Sequence, residues 1–397
     1  MKQMKTIFTT GFAVLSLATF ASNCPQLSGN FTIGASETSD FTTINQAVEA
    51  LTCGGVAGPV IFGIETGNYK EKVNFSHVPG ASALNTITFE SKSGTNTDVV
   101  ISYAATDATV VLNGTSYVSF ENLTIDHSKG AYGNCMRIDG KSSNISFHGV
   151  VFDGVDVERT GGADATVLFT STAAKSGIEF QDCEINNGSM GICKTGISST
   201  EPDSKTSIIG TLFYNQYEAA IALSNEDAPR LTNNAFSSLS AYDKFKAVTL
   251  SDISNQMVVS NNIVNAVHGE AGVALNNCKA QLAGLGQITF NSITVGGQKT
   301  ATGILMAGTS DNHVLNFNRV KLMMNEEQAG RQAYYKNTSV GKNINMMNNI
   351  FYDLNTGSYT IVGNTYKDVN NQLPSQSNPD MVISANGISV EKVEIIR

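Results

Sequence analysis

The residues of this chain that could do chemistry are few, and they gather between positions 126 and 159. Asp126 and Asp153 stand one repeat apart, Arg137 lies between them, and Asp156, Glu158, Arg159 and His127 are close in sequence. Carboxylates beside a guanidinium suit uronate chemistry, which needs a base and a cation to neutralise the sugar acid. Asp126 and Asp153 could also share a cation such as Ca²⁺, because parallel strands stack about 4.8 Å apart. The bland alternative is solvated surface charge, and an isolated Arg is more often salt-bridged than catalytic. His77, His148 and His313 are isolated. No EF-hand loop, zinc spacing, phosphate loop or nucleophile elbow occurs. The chain has no Trp to offer a sugar, although 12 Tyr could partly substitute.

What must position these residues is a repeat of about 28 residues. Apolar residues recur at relative positions 0, 2, 5 and 7, with a polar or small pair at 3 and 4. Val118, Phe120, Leu123 and Ile125 fit, as do Ile145, Phe147, Val150 and Phe152, and Ile178, Phe180, Cys183 and Ile185. Ile288, Phe290, Ile293 and Val295 fit again, followed by Leu315, Phe317, Val320 and Leu322. Degenerate copies begin at Thr206, Leu231, Val258 and Asn345. Each copy reads as two short strands of period two around a tight corner. The last five copies carry Asn234, Asn261, Asn291, Asn318 and Asn348 at relative position 3. Asn tolerates the left-handed backbone of a corner, and its amide can bond to the same amide one turn away. The expectation is therefore an asparagine ladder.

A third strand precedes each pair, as in Ala220–Leu223, Ala247–Leu250, Gly272–Leu275 and Gly303–Met306. Earlier equivalents are Val110–Leu112, Met136–Ile138 and Val167–Phe169. Three strands per turn with one tight corner describe an all-β parallel solenoid, with the parts 58–364 as solenoid. A sandwich or propeller would need antiparallel hairpin turns, which are scarce. Thr42 or Thr43 can cap a helix over 42–51 whose Ile44, Ala47, Val48 and Leu51 share one face, so 22–57 reads as an N-terminal cap. Residues 365–397 lose the Asn template, show alternation at Ile388 and Val390, and read as a C-terminal cap or tail.

Composition limits the partners. With 25 basic and 34 acidic residues among 397, the net charge is −9, which leaves no basic surface for nucleic acid. Only 15% of residues are charged and 41% are apolar, so the chain is not disordered. Lys2 and Lys5 precede an apolar run to Ala21, the form of a signal peptide over 1–21. That run is too short for a membrane span. Acylation of Cys24 is the rival, weakened by Asn23 before it. Export permits disulfides, and Cys24 with Cys53, flanking the helix, is the expected pair. Cys183 and Cys193 read as buried thiols near core positions, while Cys135 and Cys278 have no assignment.

Several segments then resemble a known family: 27–34 (LSGNFTIG), 41–48 (FTTINQAV), 58–62 (GPVIF), 67–73 (GNYKEKV), 79–89 (PGASALNTITF) and 117–125 (YVSFENLTI). Together they are similar to secreted right-handed parallel β-helix proteins of Bacteroidota, in the pectin lyase-like superfamily. The resemblance implies the right-handed coil, and in many members a type IX secretion sorting domain. The residues after the last clear turn here are too few for that domain. Segment 67–71 is also similar to a strand of pectin methylesterases, whose carboxylates, Gln and Arg would find only Gln181-Asp182, at a corner. The polygalacturonase motif finds only His268-Gly269-Glu270.

Enzymes on this scaffold usually work over the first strand of each turn. The outward residues there, Val111, Arg137, Leu168, Ala222, Thr249, Ala274 and Leu305, include one ionisable group. The reading is therefore an exported, monomeric, non-catalytic module, at the cell surface, secreted or periplasmic, that serves adhesion or contacts a polysaccharide or cell-surface glycan. It needs no cofactor, Ca²⁺ at Asp126 and Asp153 being the one candidate. The alternative is a polysaccharide lyase or carbohydrate esterase acting on acidic glycans near Arg137 with Asp126, Asp153 and Asp156.

Overall fold

The structure is a computed structural model. It describes residues 24–105, 107–238, 242–296, 301–323 and 343–350, together with the backbone of strands Gln332–Asn337, Asn349–Asp353, Tyr359–Val362, Tyr366–Lys367, Ile383–Ala385 and Glu394–Ile396. The expected signal peptide over 1–21 and the alternation at Ile388 and Val390 lie outside the described residues.

Alternating apolar residues and small corners produce a parallel β-solenoid of about 11 turns. One coil shows the plan: strands Met136–Asp139, Ser143–His148 and Val151–Asp153. Each pairs in parallel with its equivalents in the coils before and after. Inward residues stack into columns. The column ahead of the tight corner is Phe62, Phe89, Phe120, Phe147 and Phe180, then Ile208, Leu231, Val259, Ile288, Leu315 and Met346. Its phenyl rings stack at 4.7, 5.8, 5.7 and 4.8 Å between centroids. Each such pair contributes about 0.5–1.5 kcal/mol beyond its burial.

The asparagine ladder exists, but two rungs differ from the sequence expectation. The amides that stack are Asn234, Asn262, Asn291, Asn318 and Asn349. Each Nδ2 donates to the next Oδ1 at 2.9–3.1 Å and also to a backbone carbonyl one coil back, from Ile208 to Leu315. Asn261 and Asn348 are instead the preceding left-handed corner residues, with φ of 57° and 54°. Doubled residues caused the slip: Val258-Val259 and the Asn-Asn pairs both satisfy the template, and one residue of shift turns each side chain to the opposite face. Val259 and Met346 are the inward members of their coils, not Val258 and Asn345.

The solenoid begins before position 58. Leu27–Ile33 already pairs in parallel with Val56–Ile64, so the first coil lies within the expected cap. The helix α1, Ile44–Gly54, closes this end by burying Ile44, Ala47, Val48 and Leu51. Thr43 caps it by accepting the Gln46 N–H. Glu71 does more, accepting the N–H groups of Ile44 and Asn45 at 3.1 and 3.0 Å. These are orphan donors of a helix start, where a carboxylate is stabilising. The Cys24–Cys53 disulfide holds the other end of α1, leaving no Cys24 thiol for a lipid. At the far end, Tyr359–Val362 runs antiparallel to Asn349–Asp353 and Glu394–Ile396 antiparallel to Tyr359–Val362. In the third-strand sheet the parallel pairing therefore stops at Asp353, because an antiparallel strand covers the edge a further coil would extend. In the first-strand sheet, by contrast, Ile383–Ala385 still adds in parallel to Gln332–Asn337.

Candidate ligand groove

Arg137 projects from the first strand of its coil between two carboxylates. Its Nε donates to Asp139 Oδ2 at 2.9 Å, and its Nη1 pairs with Asp107, which also holds Lys72. Burial pushes the Asp107 carboxyl up, but Lys72 and Arg137 outweigh it and hold the pKa at about 2. Burial acts to lower the Arg137 pKa; Asp139 and Asp107 reverse this and raise it. The guanidinium is thus neutralised at both ends.

Asp126 and Asp153 do sit side by side, on the third strands of adjacent coils. Burial raises the Asp153 pKa, with Asp126 adding to it. Asp153 Oδ1 accepts Asn187 Nδ2 at 3.1 Å, and Asp126 Oδ1 accepts the Ser128 N–H at 2.7 Å. Asp156 touches Asn215 at 3.4 Å. His127 is buried, bonded to Thr109 Oγ1 and the Tyr132 carbonyl. Asp126 and Asp153 stand on third strands, in the smaller sheet, whereas Arg137 stands on a first strand in the larger sheet and pairs with Asp139 and Asp107. Arg137 and the aspartates therefore do not share a site. Among the described residues no group of three or more His, Cys, Asp or Glu could hold a metal ion. Ca²⁺ takes six to eight oxygens, of which Asp126 and Asp153 bring only the first few.

The outward first-strand column is Val111, Arg137, Leu168, Cys193, Ala222, Thr249, Ala274 and Leu305. Part of it is covered: a Cβ on Gly162 would lie 2.7 Å from Cys193 Sγ, so that corner lies directly over the thiol. Further along, Ala222, Thr249, Ala274 and Leu305 floor a groove of about 260 Å³ walled by Glu218, Tyr242, Lys244 and Lys246. Its charges are largely engaged. Lys246 pairs with Glu270 at 2.7 Å, and Glu218 accepts the Gly161 N–H.

A larger groove, about 430 Å³, lies over the second strands at Phe290 and Phe317. At this corner the chain needs a left-handed residue in coil after coil. The residues that supply it are Asn122, Gly149, Asp182, Gly210, Asn233, Asn261, Phe290, Phe317 and Asn348. Asn, Asp and Gly adopt this conformation readily; a bulky side chain there is strained. Phe290 and Phe317 nevertheless take φ of 59° and 57°. Their rings stack at 4.8 Å and 7°, yet remain 54% and 48% exposed. Gln256, Gln287, Thr289 and Asn316 line the groove beside them, and none of its lining residues is ionisable. The repeat template expects Phe290 and Phe317 to face inward. Instead Ile288 and Leu315 take that place in the column of Phe120, Phe147 and Phe180, and the two Phe fall two residues later, on the exposed corner.

No family model matches the chain, and no curated protein matches it in sequence. Solved structures do match its coordinates. PfbA, a surface adhesin of Streptococcus pneumoniae, aligns with a TM-score of 0.50 at 14% identity, over 78% of this chain and 86% of that one. The GH136 lacto-N-biosidase from Eubacterium ramulus aligns with a TM-score of 0.50 at 9% identity, over 80% of this chain and 67% of that one. At such identities the likeness establishes the β-helix fold alone. No helix among the described residues is long and apolar enough to cross a membrane.

Proposed function

We propose that this chain is an exported, non-catalytic β-solenoid that contacts glycans, holding neutral saccharide in the groove of Phe290 and Phe317. The observation that carries this reading is strain combined with exposure: two bulky residues occupy left-handed corner positions and bury little in return. Strain that packing does not repay points to function. Saccharide rings offer C–H faces to aromatic carbon and hydroxyls to amides, and the groove supplies both. It has no acid or base with which to cleave what it holds. The Cys24–Cys53 disulfide supports export to an oxidising compartment, secreted, surface or periplasmic. The groove is complete within one chain, so a monomer suffices. Two proteins of this fold, a surface adhesin and a lacto-N-biosidase, indicate that the scaffold serves contact as well as cleavage.

A second reading, a lyase or esterase for acidic glycans, rests on Asp153, whose raised pKa beside Asp126 suits a general acid. Arg137 stands apart from that pair, which weakens it. One experiment separates the two. The chain is incubated with pectin, alginate, glycosaminoglycans and neutral oligosaccharides, and retention, unsaturated-product absorbance and methanol release are followed. The expected result is retention of neutral glycans without turnover. Turnover that disappears in Arg137→Ala or Asp153→Asn would replace the binding reading with the enzymatic one.

A further inference from the structure

One inward column of the solenoid contains a charge. Along it run Leu112, Ile138, Phe169, Lys194, Leu223, Leu250 and Leu275. Lys194 is completely buried there, and so are Asp203 of the same coil and Glu226 of the next. Lys194 Nζ lies 2.8 Å from Asp203 Oδ2, is hydrogen-bonded to Glu226 Oε2, and sits 5.8 Å from the Phe169 ring centroid. The two carboxylates are held differently. Glu226 accepts the amine in hydrogen-bond geometry, and its other oxygen accepts the Thr206 N–H at 3.3 Å. Asp203 Oδ1 accepts the Lys175 backbone N–H at 2.8 Å, while Oδ2 accepts no hydrogen bond, the amine being near but off the hydrogen-bond line. A second buried ammonium, Lys175, donates to the carbonyls of Thr170 and Ala173.

We propose that Lys194 and Asp203 condense into an intramolecular amide between Nζ and Cγ, with Glu226 carrying the protons. The Lys194 ammonium first gives a proton to Glu226, and the freed lone pair attacks Asp203 Cγ. The Lys175 N–H at Oδ1 polarises the carboxyl under attack. Glu226 relays two Nζ protons, one after the other, to Oδ2, which leaves as water when the Cγ–Oδ2 bond breaks. The third proton remains on the amide nitrogen and Glu226 ends as it began, so atoms and charge balance without any other reactant. Burial raises the Glu226 pKa, which suits its carboxylate to take up a proton from the amine. Fixed contact between amine and carboxyl is worth an effective molarity on the order of 10⁵–10⁸ M. The product also removes a buried ion pair, whose desolvation is costly.

The test is peptide mapping of the full, reduced chain with trypsin. A linear chain is cut after Lys194 and releases peptide 195–205, because Lys175, Lys194 and Lys205 are the basic residues bounding this stretch. The expected result is a single peptide 176–205, uncut at Lys194 and lighter by one water, with fragment ions placing the loss between 194 and 203. Release of 195–205 at its linear mass overturns the proposal. In Glu226→Gln the linkage should fall to a small fraction of the wild-type yield, whereas full linkage in that variant would remove Glu226 from the reaction. Wild-type mapping decides the linkage even if the variant does not fold.

Discussion

In the coils from Phe62 to Phe180 the column ahead of the tight corner is a stack of phenyl rings, and the corner itself turns on Leu123, Val150 and Cys183. From Ile208 onward that column is aliphatic or Met, and the corner column becomes Thr211 followed by Asn234, Asn262, Asn291, Asn318 and Asn349. The two changes coincide. Where rings fill the interior, an apolar corner residue completes the packing. Where the column is narrower, an amide fills the corner and satisfies the carbonyl one coil back. Cys183 marks the transition, its thiol directed at the Phe147 carbonyl at 3.3 Å, the same relation each Asn makes. Burial pushes this thiol up to about 12, so it acts as a weak donor and not as a nucleophile. One half relies on dispersion and the other on directional bonds.

Substitutions can sharpen this contrast. The largest effect belongs to Phe147→Ala, which leaves a cavity between Phe120 and Phe180 and should cost about 3–5 kcal/mol in chemical denaturation. Next comes Asn291→Ala, which strips partners from Asn262, Asn318 and the Val259 carbonyl. At about 1–3 kcal/mol for an orphaned buried group, it should approach the cost of the Phe change. Asn261→Ala should cost only about 1 kcal/mol, the strain of a left-handed Ala. If Asn261→Ala proved as damaging as Asn262→Ala, the register of the ladder would be wrong. The smallest effect is on acid stability. Asp107 has a folded pKa of about 2, below the ordinary ~3.9, so its contribution is full above that value and fades as pH falls toward 2. Because Asp107 is partly exposed, Asp107→Asn should shift the acid midpoint only slightly, and hydrogen exchange should place that change in the N-terminal coils.

Much of this architecture was legible because period-two alternation survives in nearly every coil. The ladder residues could be read to within one residue, missing at Asn262 and Asn349, where neighbours share the same chemistry. The template itself slipped by two between early and late copies, since Leu231, Ile288 and Leu315 continue the column of Phe120 and not that of Val118. The coil at Ile192–Lys194 escaped detection because its inward position holds a charge, which a hydrophobic template rejects. Glu71 read as part of a family segment, and only the fold reveals it as the cap of α1. The groove walls at Glu218, Tyr242, Lys244 and Lys246 come from or border corners of variable length, which carry no repeat to follow. Arg137, Asp126 and Asp153 were close in sequence, but strands of one coil face different ways, so nearness along the chain did not bring them together.

The claim that Phe290 and Phe317 are kept for contact rather than for stability is tested most directly by replacing both with Asn, the residue other coils use at that corner. Calorimetric titration with the neutral oligosaccharide best retained by the wild type, and thermal melting of the same sample, are measured together. The expected result is a melting temperature equal to or above wild type, from relief of about 1 kcal/mol of strain at each position, with affinity reduced at least about tenfold, as for a hot-spot aromatic. Unchanged affinity, or a destabilised fold, would contradict it.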